Sequence, residues 1–273
     1  MPVLLEPVTY PSVSSLFEEM MRHHLAVPSV LAGTLPGRIY VDDPSRPTAA
    51  ILIPSNRYRL YLGGEPSLHL LADVIHLLFK PSVAQSYWFM AHFPSDAWKS
   101  TIDLALQGLG STTSWRHYYR LTGPSLPVTS PLPEGVFLAD ISPALVDDAR
   151  LVNRDFLIDE IHSESPSLSY FFRQHFGVCA QDAQKLVAWC LAEYHYQSSY
   201  ELGIETLEAY QRQGIATHTA STVIKRAFAE GATEIGWHCW ASNTPSIATA
   251  LKLGFQKELD YPVITCDSRL AST

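Results

Sequence analysis

Residues 210–220, YQRQGIATHTA, set two glutamines and an arginine ahead of a glycine, with small side chains opening a helix-like pattern. Counting from Ala216, the positions Ala220, Val223, Ile224 and Ala227 fall 4, 7, 8 and 11 residues on, one face of an α-helix. The first N–H groups of a helix have no partner inside it, and the helix dipole adds partial positive charge at that end. Gly214 and Ala216 leave the end unshielded, while Gln211, Arg212 and Thr217 add donors. The stretch therefore reads as a cradle for an anion such as a pyrophosphate. A glycine-containing turn with small residues for tight packing is the plainer alternative. Neither a G-K-[ST] loop nor a G-x-G-x-x-G fingerprint is present.

Working outward, SYELGIET ends about five residues before this motif and reads as a strand, as do GVCAQ, KLVAWCLAEY, EIGWHCW and YPVITC. NTPSIATALKLG reads as a short helix ended by Gly254, and GVFLADIS as a strand. Ser142-Pro143 is an N-cap followed by proline at the first helical position, opening a helical stretch through ALVDDARLVNRDFLIDEI; a second lies around SLSYFFRQHF. Earlier, RIYVDD, TAAILIP, RYRLYLGG, SYWFMAHF and WRHYYRL are strand candidates, with helices over SLHLLADVIHLLF and DAWKSTIDLALQGL. The order strand, helix, strand, helix, strand thus occurs twice. Between the two runs, LTGPSLPVTSPLPEG at 121–135 holds four prolines, a semi-rigid seam. The expected domains are 1–122 and 136–273, with 123–135 as linker.

With 273 residues, 47% hydrophobic and 17% charged, the chain is a folded globular one. A net charge of −8 and 19 scattered Lys and Arg exclude nucleic acid as the main partner. No window has the ~18 uninterrupted apolar residues of a membrane span. The N-terminus MPVLLEPVTY lacks a secretion signal's basic region and apolar core, so a cytoplasmic location is expected. Cys179, Cys190, Cys239 and Cys266 form no CxxC pair, and buried thiols without a metal are expected.

ELGIETLEAYQRQGIATHTASTVIKRAFAEG, followed by WHCWASNTPSIATALKLGF, resembles the GNAT superfamily of acyl-CoA-dependent N-acyltransferases. The first segment is similar to its Q/R-x-x-G-x-G/A signature at Gln211, Gly214 and Ala216, with the common aromatic at Tyr210. The second is similar to its asparagine-led helix and LGF ending, at Asn243, Ser246, Leu253, Gly254 and Phe255. The resemblance covers roughly 135–270, and the layout looks like a two-domain subgroup with a degenerate GNAT-like N-terminal half. It implies an α+β fold of two GNAT-like halves, each a mixed twisted sheet flanked by helices. It also implies acetyl-CoA as acyl donor to a primary amine, by direct attack without a covalent enzyme intermediate. The pyrophosphate would then lie on the backbone of Gln211, Arg212, Gln213, Gly214, Ile215, Ala216 and Thr217. The pantetheine arm would pair with Ile204, Glu205 and Thr206, and Asn243 and Ser246 would approach the cofactor. The strands 199–206 and 234–240 would splay to admit the thioester.

Many members carry a tyrosine five residues before the LGF phenylalanine to protonate the leaving thiolate. Ala250 stands there, so Tyr261 is the substitute candidate. Glu205 and Glu201 alternate on one strand face, and Glu205, nearer the splay, is the candidate base beside His238. The same side chains could be a solvated strand glutamate and a core histidine, and a water-mediated base is equally open. In the first half, LGGEPS stands where a repeat would place the pyrophosphate loop, but Glu65 would repel phosphate. That half is expected to shape the substrate cleft or a homodimer interface. Because Tyr is missing at 250, a non-catalytic acyl-CoA-binding or sensing protein is the alternative to an enzyme.

Overall fold

The computed structural model describes residues 2–55, 59–79, 88–124, 130–267 and 269. The chain forms two compact units, residues 1–115 with 261–273 and residues 116–260. The division is not the one expected from the proline seam. The unit border falls inside two long strands, and residues 130–135 of the seam belong to the second unit; residues 125–129 lie outside the described residues.

The first unit opens with β1 (Val3–Leu4), a 3-10 segment (Pro7–Phe17), α1 (Glu18–Met21) and α2 (Ala26–Leu31). None of these was evident in the sequence. The 3-10 segment contains Pro11 and lacks the four-residue period of an α-helix. Next come β2 (Gly37–Val41), β3 (Ala49–Pro54), β4 (Arg59–Gly64), α3 (Leu68–Leu78), β5 (Trp88–His92) and α4 (Asp96–Ala105). β6 (Ser111–Leu121) begins in this unit and enters the second at Arg116.

In the second unit β7 (Val136–Asp140) leads to α5 (Pro143–Asp147), α6 (Arg154–Glu164) and α7 (Leu168–Gln174). Then follow β8 (Gly177–Asp182), β9 (Lys185–Tyr196), β10 (Ser199–Thr206), α8 (Ile215–Ala229), β11 (Glu234–Trp240) and α9 (Thr244–Lys252). The last strand, β12 (Gln256–Asp267), starts in this unit and ends in the first.

Each unit has a mixed sheet with helices on it. In the first, β1 to β5 pair in sequence, and Val263–Asp267 of β12 runs antiparallel to β5. In the second, the order is Arg116–Leu121 of β6, then β11, β10, β9, β8 and β7; only β10 and β11 are parallel. One sheet face carries α8, whose Ala220, Val223, Ile224 and Ala227 are fully buried with Tyr200, Leu202 and Trp237. The other carries α5 to α7, with Leu157, Ile161 and Phe171 against Trp189 and Leu191. The aromatics of SYFFRQHF and AWCLAEYHY thus serve mainly as core.

The helix expected from Ser142 onward is interrupted. Ser142 does cap α5, accepting from the Leu145 N–H at 3.2 Å, but α5 ends after five residues. Val152 donates its N–H to Gln184 O at 2.8 Å and accepts from Leu186 N–H at 3.0 Å, which takes its backbone out of any helix. Asn153 then turns left-handed (φ 66°) and fixes that turn through its amide to Leu186 O at 3.0 Å.

Candidate functional site

Between Thr206 and α8 the chain makes a 3-10 turn at Glu208–Tyr210 and a tight loop. Its side chains hold it in shape. Tyr210 OH donates to Asp182 at 2.6 Å, Gln211 Nε2 to Thr206 O at 3.1 Å, and Gln213 Nε2 to Ala209 O at 3.1 Å. Arg212 (φ 61°) and Gly214 (φ 81°) are both left-handed, the alternation that turns successive N–H groups toward one concavity. For Arg212 that conformation is strained by roughly 1–2 kcal/mol. Gly214 occupies the N-cap position, and the first helical bond runs from His218 N–H to Gly214 O at 3.2 Å. The amides of Ile215, Ala216 and Thr217 are therefore left without a helical acceptor.

These amides border a cavity of about 330 Å³ within the second unit. Ile204, Glu205, Thr206, Gln211, Arg212, Gly214, Ile215, Ala216, Thr217, Asn243 and Ser246 all line it. Gln213 does not; its amide is turned back to Ala209. Four lining residues escaped the sequence: Pro245, Ala248, Thr249 and Lys252. Their spacing is a second face of α9, small or polar, opposite the face that buries Ala250 and Leu253. Lys252 and Arg212 are the cationic side chains on the cavity wall. At α9's start, Asn243 Oδ1 accepts from Ser246 N–H at 3.1 Å, and Ser246 Oγ accepts from Trp237 Nε1 at 3.0 Å.

β10 and β11 pair only from Ser199–Glu234 to Leu202–Trp237, while β10 stays paired to β9 as far as Thr206. Beyond Leu202, among the described residues, no strand pairs with the edge of β10 that faced β11. Thr206 Oγ1, at the end of that edge, is buried and has no hydrogen-bond partner among the described residues. A free strand edge, bare helix amides, two cations and an orphan hydroxyl suit a ligand with an amide-bearing arm and phosphates.

On the sheet face away from α8, a polar cluster spans four strands. His238 Nε2 lies 3.6 Å from Glu201 Oε1, with the two side chains only 12% and 8% exposed. Tyr118, paired with His238 across β6 and β11, brings its ring to 4.7 Å from the imidazole. Burial first, then the Glu201 carboxylate, push the Tyr118 phenol up to about 12, so it stays protonated. The carboxylate beside His238 is thus Glu201. Glu205, one strand repeat further, opens on the cavity; desolvation raises its pKa, opposed by a bond from the Thr206 amide.

A bulge in β9 adds a fifth group. Glu201 pairs with Tyr194 but Leu202 with Ala192, so Glu193 is the extra residue. Its carboxylate lies directly over Gly203, where a β-carbon would overlap it. Tyr194 in turn donates to Glu164 of α6, both buried.

The remaining candidates are placed elsewhere. Tyr261 belongs to the first unit, where its ring lies 5.3 Å from His24 and 6.1 Å from His92 in a buried aromatic group. Cys239 is 4% exposed and burial raises its pKa, so it remains a thiol; all four cysteines are free and buried. In the LGGEPS stretch, β-carbons on Gly63 and Gly64 would overlap the backbone of Leu16 and Thr48. The space those glycines keep clear is filled by the chain itself. Among the described residues no group of three or more His, Cys, Asp or Glu could hold a metal, and no helix is long and apolar enough to cross a membrane.

The chain is similar to known proteins over most of its length. The uncharacterized N-acetyltransferase YdfB of Bacillus subtilis (strain 168) is 25% identical over 254 residues, 93% of this chain and 94% of that protein. A GCN5-related N-acetyltransferase-like protein from Streptococcus suis superposes with TM-score 0.72 at 19% identity, covering 95% of this chain and 99% of that one. A tandem GNAT protein from the clavulanic acid biosynthesis pathway superposes with TM-score 0.60 at 11% identity, covering 98% of each. The GNAT acetyltransferase family profile matches residues 14–264, and the chain belongs to that family.

Proposed function

We propose that this protein transfers an acetyl group from coenzyme A to a primary amine on a small molecule. The observation that carries the reading is the cavity at the opening of α8, where unshielded amides, Arg212 and Lys252 converge. The amides of Arg212 and of residues 214–217, with the two cations, would hold the diphosphate. The free edge of Gly203–Thr206 would pair with the pantetheine amides. When bound, the coenzyme supplies an activated acyl carbon and a thiolate leaving group. His238, beside the Glu201 carboxylate, would act as a neutral imidazole to take the proton that an ammonium must lose before it can attack, becoming an imidazolium next to that carboxylate. Tyr118, kept neutral by burial, is the proton source on the same face. Glu205 lies on the coenzyme side of the strand gap and would feel the thioester end rather than the amine. Transfer is direct, because burial outweighs the pull of Arg116, Ser246 and Lys257 and keeps Cys239 a thiol rather than a nucleophilic thiolate.

Thermal-shift titration with acetyl-CoA, then thiol release over a panel of amines, tests this reading. A ligand at a hundredfold excess over its Kd stabilises the native state by about 2.7 kcal/mol. Stabilisation without thiol release would point to a sensor. Gly214→Glu forces a side chain onto a left-handed residue and sets a carboxylate in the anion cradle. It is expected to abolish the shift; a full shift in this variant would remove the phosphate assignment.

A further inference from the structure

The seam between the two sequence halves ends on the coenzyme loop. Ser130, the first described residue after 125–129, presents its carbonyl oxygen to His218 Nε2 at 2.7 Å. A carbonyl only accepts, so Nε2 carries the hydrogen. His218 stands in the first turn of α8, one residue beyond Thr217, the last α8 residue on the cavity wall. The Ser130 hydroxyl sits against Gly214, 3.4 Å from where a β-carbon would be, and is buried with no hydrogen-bond partner among the described residues. Further along, Leu132 and Val136 pack with Ile215 and Tyr210 in one apolar cluster beneath the loop.

We infer that Ser130–Val136 is a clasp that sets the shape of the coenzyme loop, with His218 as its positioning residue. The inference rests on the coenzyme reading above. The loop carries one glycine in a left-handed turn and one strained arginine, a backbone that would sample other conformations if unsupported. With the clasp closed, the amides are already convergent, and binding need not order them. The chain's connector is thereby part of the binding machinery.

The test is His218→Ala, which removes the donor and leaves the cavity wall intact. Calorimetry with coenzyme A is expected to show Kd raised about tenfold, the effect of one lost half-buried bond. KM for acetyl-CoA follows Kd while kcat does not, and the unfolding midpoint of the free protein is held. His218→Gln, whose amide N–H reaches the same carbonyl, recovers most of the affinity. Linkage adds a readout independent of mutation: if the clasp favours coenzyme binding, the coenzyme must favour the clasp. Amide exchange over Ser130–Val136 then slows when coenzyme A is added to the parent protein. An unchanged Kd in His218→Ala, a loss that His218→Gln does not recover, or exchange indifferent to coenzyme overturns the clasp. A parent protein that does not bind coenzyme A overturns the functional reading itself, so the two failures are told apart before any variant is made.

Discussion

Gly203 is where a single hydrogen atom decides what the sheet face can hold. Its backbone is ordinary strand, so the need for glycine comes from space: the Glu193 carboxylate occupies the place of a side chain. Bulges commonly re-aim one side chain near a site, and this one sends an acid to the place where β10 and β11 part. Gly203→Ala is predicted to displace that flexible carboxylate with a stability loss of about 1 kcal/mol or less. The KM of the best amine acceptor should rise several-fold, and Kd for coenzyme A should stay within about twofold. Loss of coenzyme affinity instead would mean that Gly203 serves the pantetheine edge. At this scale the left-handed loop before α8 was legible in the sequence, because a glycine signature encodes backbone directly. The polar cluster on the opposite sheet face was harder to read. Glu201 and Glu205 share a face and a spacing, and only the strand pairing tells which one meets His238. Glu193 had no signal, since a bulge depends on the partner strand's register.

Helix ends set the chemistry at the scale of elements. α7 ends on His175, a position where the helix dipole would favour a cation. Desolvation wins: neither ring nitrogen has a hydrogen-bond partner among the described residues, and burial, then His195, lower the pKa to about 4. The sign follows from linkage. The unfolded chain takes up a proton near the ordinary value of about 6.5, while the folded chain refuses it down to about 4. Stability should therefore be complete above that ordinary value and fall as pH drops through the window, by roughly 3 kcal/mol at most. Denaturant melts of His175→Phe against the parent at several pH values measure it, and an equal acid slope in both would refute it. Elements with a long period were legible, such as α8, whose apolar face is one stripe. The break between α5 and α6 was not, because Val152 is recruited by a hairpin more than thirty residues downstream. The end of α9 was half legible: its core face showed as apolar, but Lys252 and Thr249 looked like any solvated face.

The proline seam was the natural place to cut the chain, since composition marks linkers, whereas strand exchange leaves no compositional trace. The whole molecule divides differently, with its first unit completed by residues 261–273 from the far end of the sequence. Val263–Asp267 pairs with Trp88–His92, and Val263, Ile264 and Cys266 are essentially fully buried there. Each fully buried aliphatic side chain contributes about 1.5–3 kcal/mol, so two such residues and a thiol amount to much of the ~5–15 kcal/mol that holds a domain together. Their removal also leaves the N–H and C=O groups on one edge of β5 without their partners on β12. A chain stopped after Asp260 is accordingly expected to lose cooperative unfolding of its first unit, seen in calorimetry as a missing or broadened transition and in limited proteolysis as rapid cleavage before residue 115. A fragment of residues 1–122, cut at the seam, should fare no better, because it keeps the β6 residues from Arg116 onward that pair with β11 and lacks the strand that pairs with β5. A cooperative melt of that fragment near the parent midpoint would show that the far-end strand is dispensable. Adding residues 261–273 back as a separate peptide should restore protection of Trp88–His92 in amide exchange, because the binding free energy available is the burial that the truncation removed.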